Sequence, residues 1–468
     1  MTKILVWNLQ TFGINKINNT TPGYADGYAG LNNLQTSVWR RRLVYRTLQY
    51  TQPDIIVLVE VGSGDSYPND LATLTGGMEG CIYLLNFLRT SLVYNAGDWR
   101  LVPPLRVGRS PGSKPETVAV LYRGRSNVNG NIINRYFSGP NVWTGGYAGV
   151  SVRPAVGVPA PYPVAAMGNP DILSMLVPPM TMPRVIPPGS QHNPGLQEDR
   201  VAARTRFLED NHGVAGGFLD FGVYRPPYMT TFVETNNAGV VQRNLSIFGV
   251  HSPAVAGDQG VFIDYLASMH DVVSARPANE TRIVAGDFNL NLLDALGNDA
   301  QVYQPLTLLG YTPLLQPPGP PPANLDAYRG YFATHIRNKN YTKVSRFLWS
   351  DNANAAPYPG YNYIGSNRVA NFYSIDNILV WTSAPPPNYN TTIMNHVTGT
   401  PLNGVMPAPG GAPRGSLNLP DGFTTAVAWP PAPIAPNWAL GTSANLCSWA
   451  NYGYILGTSD HFALYADV

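Results

Sequence analysis

The chain has 468 residues, a formal net charge of +2, 44% hydrophobic and 11% aromatic residues, and only 12% charged residues. That composition supports a large packed core and argues against disorder. It lacks the basic excess of a dedicated nucleic-acid binder, although a local basic groove or metal ions can supply positive charge without one. Two cysteines, Cys81 and Cys447, exclude a disulfide framework and read as free thiols.

Met1-Thr2-Lys3 runs directly into an apolar strand at residues 4–7, with no leader-like apolar region before it. Residues 31–50 set Leu34, Val38, Tyr45 and Leu48 on a helical stripe, with Arg40, Arg41, Arg42 and Arg46 between them. The run Arg40-Arg41-Arg42 reads as a solvated helix face, or else as contacts to a phosphate backbone. Pro53-Asp54 ends the helix, and residues 55–60 read as a buried strand. Further strands are expected at 118–122, 229–233, 245–250, 282–285, 375–381 and 462–467, with a helix over 259–274.

Strands outnumber helices without a regular βαβ repeat, which predicts an α+β protein with packed sheets. Two Pro-rich stretches, 150–195 and 384–440, interrupt the pattern and read as insertions in one domain spanning 1–468. The insertions are drawn at about 125–215 and 384–450. No apolar run approaches the length needed to cross a bilayer, so a soluble chain is expected, cytoplasmic or exported without a leader.

The polar residues that close the apolar strands carry the chemistry. Asn8 follows the first strand and Glu60 ends the second. His251 follows residues 247–250, Asp287 and Asn289 follow 283–286, and Asp460-His461 precede the last strand. Each alone has an ordinary reading as turn chemistry, a cap or a solvated strand end. Strand ends gathered at one sheet edge, however, would present carboxylate and amide oxygens to a hard cation.

Taken in order, these segments resemble the endonuclease/exonuclease/phosphatase superfamily, and within it the deoxyribonuclease I branch. The resemblance rests on Val6-Trp7-Asn8-Leu9-Gln10-Thr11-Phe12-Gly13 with Asn15-Lys16, and on the run from Pro53 to Val61 that carries Glu60. It continues through Glu116 with Tyr122-Arg123, Tyr224-Arg225-Pro226-Pro227, Val250-His251-Ser252-Pro253 and Gly286-Asp287-Phe288-Asn289. The run from Ile375 to Val380 and Ser459-Asp460-His461 complete it. The matches are scattered over almost the whole chain, and the two Pro-rich stretches have no counterpart.

The resemblance implies a four-layer α/β/β/α sandwich of two packed, mainly antiparallel sheets flanked by helices. It implies a metal-dependent phosphodiesterase, foremost a DNA endonuclease without sequence preference, acting on nucleic acid with Mg²⁺, Mn²⁺ or Ca²⁺. Phospholipid or inositol-phosphate hydrolysis, or an effector nuclease whose insertions bind a protein partner, are the alternatives. By resemblance His251 and His461 form the acid–base pair, in either assignment, with Glu116 orienting His251 and Asp376 orienting His461. Glu60, Asn8, Asp287 and Asp460 would hold the cation. Asp287 and Asn289 would also serve catalysis, and Arg225, Asn289 and Asn8 would meet the substrate phosphate.

Three positions depart from the branch. Val59 stands where Gln is common before the metal-binding Glu, and Gly62 and Lys114 stand where deoxyribonuclease I contacts DNA through Arg and Tyr. By resemblance His251 favours deoxyribonuclease I-like enzymes, toxin nuclease subunits, sphingomyelinases or inositol-phosphate phosphatases over the abasic-site endonucleases, which usually carry Tyr there.

Overall fold

Alternation within the strands is what divides this chain into layers. In β1 (Lys3–Phe12) Ile4 and Val6 join one buried cluster, whereas Leu5, Trp7 and Leu9 join another. In β2 (Ile55–Gly62) Ile55 and Val57 belong to the first cluster, and Ile56 and Leu58 to the second. Period-two burial on both faces means that both faces of this sheet are covered.

The computed structural model describes residues 1–19, 33–62, 77–90, 99–106, 116–123, 125–128, 131–134, 136–138, 225, 227–235, 241–254, 258–273, 278–317, 333–336, 372–383, 391–395, 400–402 and 458–468. The stretch 150–195, Lys114 and Cys447 lie outside the described residues.

The remaining strands are β3 (Trp99–Arg106), β4 (Glu116–Arg123), β5 (Arg125–Val128), β6 (Asn131–Asn134), β7 (Tyr136–Ser138), β8 (Tyr228–Thr235), β9 (Val241–His251) and β10 (Glu280–Asp287). They continue with β11 (Thr312–Pro313), β12 (His335–Ile336), β13 (Phe372–Tyr373), β14 (Asp376–Thr382), β15 (Thr392–Asn395), β16 (Thr400–Leu402) and β17 (Ala463–Asp467). The helices are α1 (Ile14–Ile17), α2 (Asn33–Thr51), α3 (Gly77–Thr90), α4 (Asp258–Leu266), α5 (His270–Val273) and α6 (Gln304–Thr307).

A seven-stranded sheet runs β16-β15-β17-β1-β2-β4-β3, and a six-stranded sheet runs β11-β14-β10-β9-β8-β7. Each sheet is antiparallel except for one parallel pair, β1 with β2 and β9 with β10. The sheets are therefore mixed, and helices flank them in an α+β sandwich. Between the sheets, Ile4, Val6, Val57, Val118 and Val120 meet Leu245, Ile247 and Ile283. Gly249 marks the closest approach: a Cβ there would come within 2.7 Å of the Val118 side chain. Helices α2 and α3 cover the outer face of the first sheet through Val44, Tyr45, Leu48, Leu84, Leu85 and Leu88. Each such side chain contributes roughly 1.5–3 kcal/mol by leaving water.

Several expectations are corrected. Arg40, Arg41 and Arg42 are buried rather than solvated, and Arg46 is buried with them; Arg41 donates to the Tyr83 hydroxyl at 2.6 Å and reaches the Ile17 carbonyl at 3.4 Å. The expected helix over 259–274 breaks into α4 and α5 around residues 267–269. Helix α3 was not anticipated, although Cys81, Leu84, Leu85 and Leu88 carry its buried stripe. Cys81 is free and buried. Part of each expected insertion is ordered strand: β7 pairs with β8, and β15 and β16 extend the first sheet.

Candidate active site

Register in the second sheet sets three polar side chains in one row. Asp287 on β10 lies beside His251 on β9 and beside Asp376 on β14. By period-two alternation they share the face of Gly249 and Ala285, which looks toward the first sheet. Gly286 permits this close fit. Its φ is +149°, and a Cβ there would lie 2.0 Å from the Val250 carbonyl oxygen. Asn289 has φ +52°, a conformation that Asn tolerates better than most residues. Its backbone N–H donates to Asp287 Oδ1 at 2.8 Å, and its side-chain amide to the Ser252 carbonyl at 2.9 Å.

The first sheet contributes through a distortion. Gln10, Thr11 and Glu60 all have positive φ, and the pairing register slips in the same stretch of β1 and β2. Asn8 accepts from the Gln10 N–H at 2.9 Å, Glu60 Oε2 accepts from the Thr11 N–H at 3.1 Å, and Lys16 Nζ donates to the carbonyls of Leu9 and Gln10 at 2.6 and 2.7 Å. These bonds hold the bulge open. Past it, Val61 joins the outer cluster instead of the inner one, so the period-two count restarts at Glu60. Glu60 Oε1 then comes within 3.5 Å of His251 Nε2 across the sheet interface.

Two histidine–carboxylate pairs face each other across Asp287. His251 Nδ1 lies 2.8 Å from Glu116 Oε2, and His461 Nδ1 lies 2.8 Å from Asp376 Oδ2. An ionised carboxylate only accepts, so each Nδ1 carries the proton and each Nε2 faces the cleft. Both Nε2 atoms stand 3.7 Å from the same atom, Asp287 Oδ2. Arg225 reaches Glu116 Oε2 at 3.2 Å, so it shares the acceptor of His251. The Asn8 amide nitrogen donates to Glu60 Oε1 at 3.0 Å and to Asp287 Oδ2 at 3.1 Å, tying the two sheets together at the floor.

Residues not anticipated from the sequence frame this arrangement. Ser459 donates to the Asn8 carbonyl at 2.7 Å and accepts from the His461 N–H at 3.0 Å. Thr334 Oγ1 accepts from the N–H groups of Ile375 and Asp376 at 2.9 and 3.0 Å. Gln10 donates to Asp460 Oδ2 at 3.1 Å, and the His335 ring lies 4.5 Å from that of His461. Sequence periodicity gave no sign of His335, because β12 is only two residues long.

Charge and burial pull against each other throughout the site. For His461 burial opposes the charged form, yet the carboxylates of Asp376, Asp287 and Asp460 outweigh it and raise its pKa well above the ordinary histidine value. For His251 burial is likewise overcome, here by the Glu116 hydrogen bond and the charge of Glu60. Burial would raise Glu116, but His251 and Arg225 bring it below the usual carboxylate value. Burial and the neighbouring Asp376 push Asp287 up. Burial also works against ionised Asp460, but His335, His461 and Lys16 hold its pKa at about 2.

Oxygen atoms of Glu60 and Asp287 converge on the Asn8 amide, and Asp460 has a buried Oδ1 with no hydrogen-bond donor among the described residues. Hard oxygen donors and crowded like charges fit a divalent cation at Glu60 and Asp287, which group with His251, whereas Asp460 groups with His335 and His461. Asn8 would join such a ligand set through Oδ1 only by releasing the Gln10 N–H.

No protein-family model and no curated protein matches this chain. Solved structures similar to it include two described as endonuclease/exonuclease/phosphatase proteins. An endonuclease/exonuclease/phosphatase family protein from Leptotrichia buccalis is 11% identical with a TM-score of 0.39, covering 100% of this chain and 99% of that one. The human Nocturnin catalytic domain is 11% identical at 0.35, covering 100% and 93%. A 3'-5' exonuclease from Neisseria meningitidis is 12% identical at 0.33, covering 99% and 98%. Likeness at this level speaks to neither substrate nor mechanism. Among the described residues, no helix is long and apolar enough to cross a membrane.

Proposed function

We propose that this chain is a divalent-metal-dependent phosphodiester hydrolase, and that its substrate is nucleic acid, foremost DNA cut internally without base preference. One observation carries the reading: two carboxylate-oriented histidines present Nε2 to the same Asp287 oxygen, each at 3.7 Å. Phosphodiester hydrolysis needs a proton removed from attacking water and another delivered to the leaving oxygen, on opposite sides of phosphorus. Two imidazoles converging on one carboxylate oxygen supply both proton-transfer groups.

In this reading His461, held by Asp376, takes the proton from water, and His251, held by Glu116, protonates the leaving oxygen. Glu60, Asp287 and Asp460, with Asn8, would hold Mg²⁺ or Mn²⁺, which supplies charge stabilisation at the phosphate when bound. Arg225 and Asn289 border the pair and are assigned to the phosphate oxygens. Arg225 pairs with Glu116, the acceptor it shares with His251, at 3.2 Å.

Plasmid nicking tests this. Cutting is expected with Mg²⁺ or Mn²⁺, lost in EDTA, and reduced by roughly 10²–10⁴-fold in His461→Ala. Cutting that ignores both metal removal and His461→Ala would overturn the assignment. Hydrolysis of a phospholipid or an inositol phosphate without nicking would keep the phosphodiester centre and replace the nucleic-acid substrate.

A further inference from the structure

A second cluster of ligand atoms shares Asp460 and His461 with the proposed centre and adds His335. His335, Asp460 and His461 each offer one ligand atom, and these atoms lie within 4.8 Å of one another. His335 Nε2 is 3.5 Å from Asp460 Oδ2, and His461 Nε2 is 3.9 Å from Asp460 Oδ1. The backbones are fixed: β12 bridges to His461 through residue 335, and the Phe462 N–H donates to the Thr334 carbonyl at 2.8 Å. Tetrahedral bonds of about 2.0–2.1 Å require a spacing of about 3.3 Å, so the three side chains must close in on the ion.

Two buried atoms of this cluster have no hydrogen-bond partner among the described residues, His335 Nδ1 and Asp460 Oδ1. His335 Nε2 faces Asp460 at 3.5 Å and helps to hold that carboxylate ionised, so a cation that binds there must displace the Nε2 proton, which then has Nδ1 to occupy. His461 is already set for ligation, because Asp376 holds its Nδ1–H and so directs the Nε2 lone pair outward. Two imidazoles and one carboxylate are a donor set that suits a borderline cation such as Zn²⁺. They do not suit Mg²⁺, which prefers an all-oxygen shell.

We propose that His335, Asp460 and His461 form an inhibitory zinc site. Zinc there occupies His461 Nε2, the atom assigned to take the proton from water, and withdraws Asp460 from the Mg²⁺ ligands. The binding claim stands on the cluster alone. The inhibition claim rests on the function proposed above.

Calorimetric titration of Zn²⁺ into EDTA-stripped protein in excess Mg²⁺ should give one site per chain. In His335→Phe, which keeps a ring beside His461 and Tyr373, affinity should fall at least ~100-fold. His335→Cys supplies a thiolate and should retain binding. Co²⁺ in place of Zn²⁺ should give the visible absorption of a tetrahedral centre in the wild type and in the Cys variant, but not in the Phe variant. In nicking assays, micromolar Zn²⁺ should inhibit the Mg²⁺-supported wild type and spare His335→Phe, each measured against its own zinc-free rate.

Equal zinc affinity in wild type and His335→Phe would overturn the site. His335-dependent binding without inhibition of an active enzyme would overturn its regulatory role. His335-dependent binding to a chain that cuts no phosphodiester would keep the site and sink the proposed function instead. Should His335→Phe fail to fold, the Co²⁺ spectrum of the wild type decides: octahedral absorption would exclude the site.

Discussion

His461 carries the sharpest conflict in the molecule. A proton acceptor must be neutral to act, yet Asp376, Asp287 and Asp460 hold this ring charged well above the ordinary histidine range. The acid side of the pH–rate profile should therefore report loss of the His461 proton at a pH above ~6.5. Removing the charge that raises it most should move that limb downward. Asp376→Asn is thus expected to lower the limb's midpoint while cutting the rate by about 10²–10⁴-fold, because the amide no longer fixes the Nδ1–H tautomer. A pH–rate series on the variant, with an NMR titration of the metal-free imidazole, checks both. A limb that stays in place in Asp376→Asn would assign the ionisation to another group. Glu116→Gln should instead perturb the basic limb, since the Glu116 hydrogen bond raises His251 and keeps it a donor to higher pH.

At the level of strands, the site was legible where chemistry follows an apolar run, and illegible where geometry breaks one. His251 and Asp287 close buried strands and Asp376 opens one, so their positions could be read from the hydrophobic pattern; Asn8 and Glu60 end apolar runs, but their strands continue past them to Phe12 and Gly62. Nothing in the sequence signalled the bulge at Gln10, Thr11 and Glu60. None of these is glycine, and all three reach positive φ with the help of side-chain bonds from Asn8, Glu60 and Lys16. His335 was hidden for a related reason, lying in a strand too short to show a period. Gly286 is the opposite case, a turn-like residue whose necessity appears only when β9 lies beside it. Gly286→Ala must place a methyl group where the Val250 carbonyl oxygen stands, at a φ that side chains rarely adopt. It should cost more than ~2 kcal/mol in urea unfolding and shift Asp287 away from His251. A cost within a few tenths of a kcal/mol would mean that β10 slides without penalty and that the row of His251, Asp287 and Asp376 is loosely held.

Across the whole molecule the two sheets are joined at both ends by different means. The site end is tied by Asn8 between Glu60 and Asp287. At the other end Arg243 on β9 donates to Glu234 Oε2 at 2.7 Å, to Thr2 Oγ1 at 2.9 Å and to the Val468 carbonyl at 2.6 Å. Thr2 and Val468 exchange both backbone hydrogen bonds at 2.8 Å, and Thr2 Oγ1 also donates to Glu234 at 3.0 Å. This clasp links strands at the start and end of the chain to the middle of the second sheet. It sits at the ends of β1 and β9 away from Asn8 and His251, so stability and activity should separate there. Arg243→Ala leaves Glu234 with 12% side-chain exposure and its ion-pair partner gone. A fully buried pair broken this way costs about 3–5 kcal/mol; partial exposure here brings the expectation to about 2–3 kcal/mol. Adding Glu234→Gln should recover part of that loss, because the stranded charge is the larger share of the cost. Chemical denaturation of the single and double variants measures this, and nicking activity per folded molecule should stay at the wild-type level in both. If Arg243→Ala lost activity while fully folded, the far end would be setting the geometry of the two histidine pairs, and the sandwich would have to transmit strain along β9 from residue 243 to residue 251.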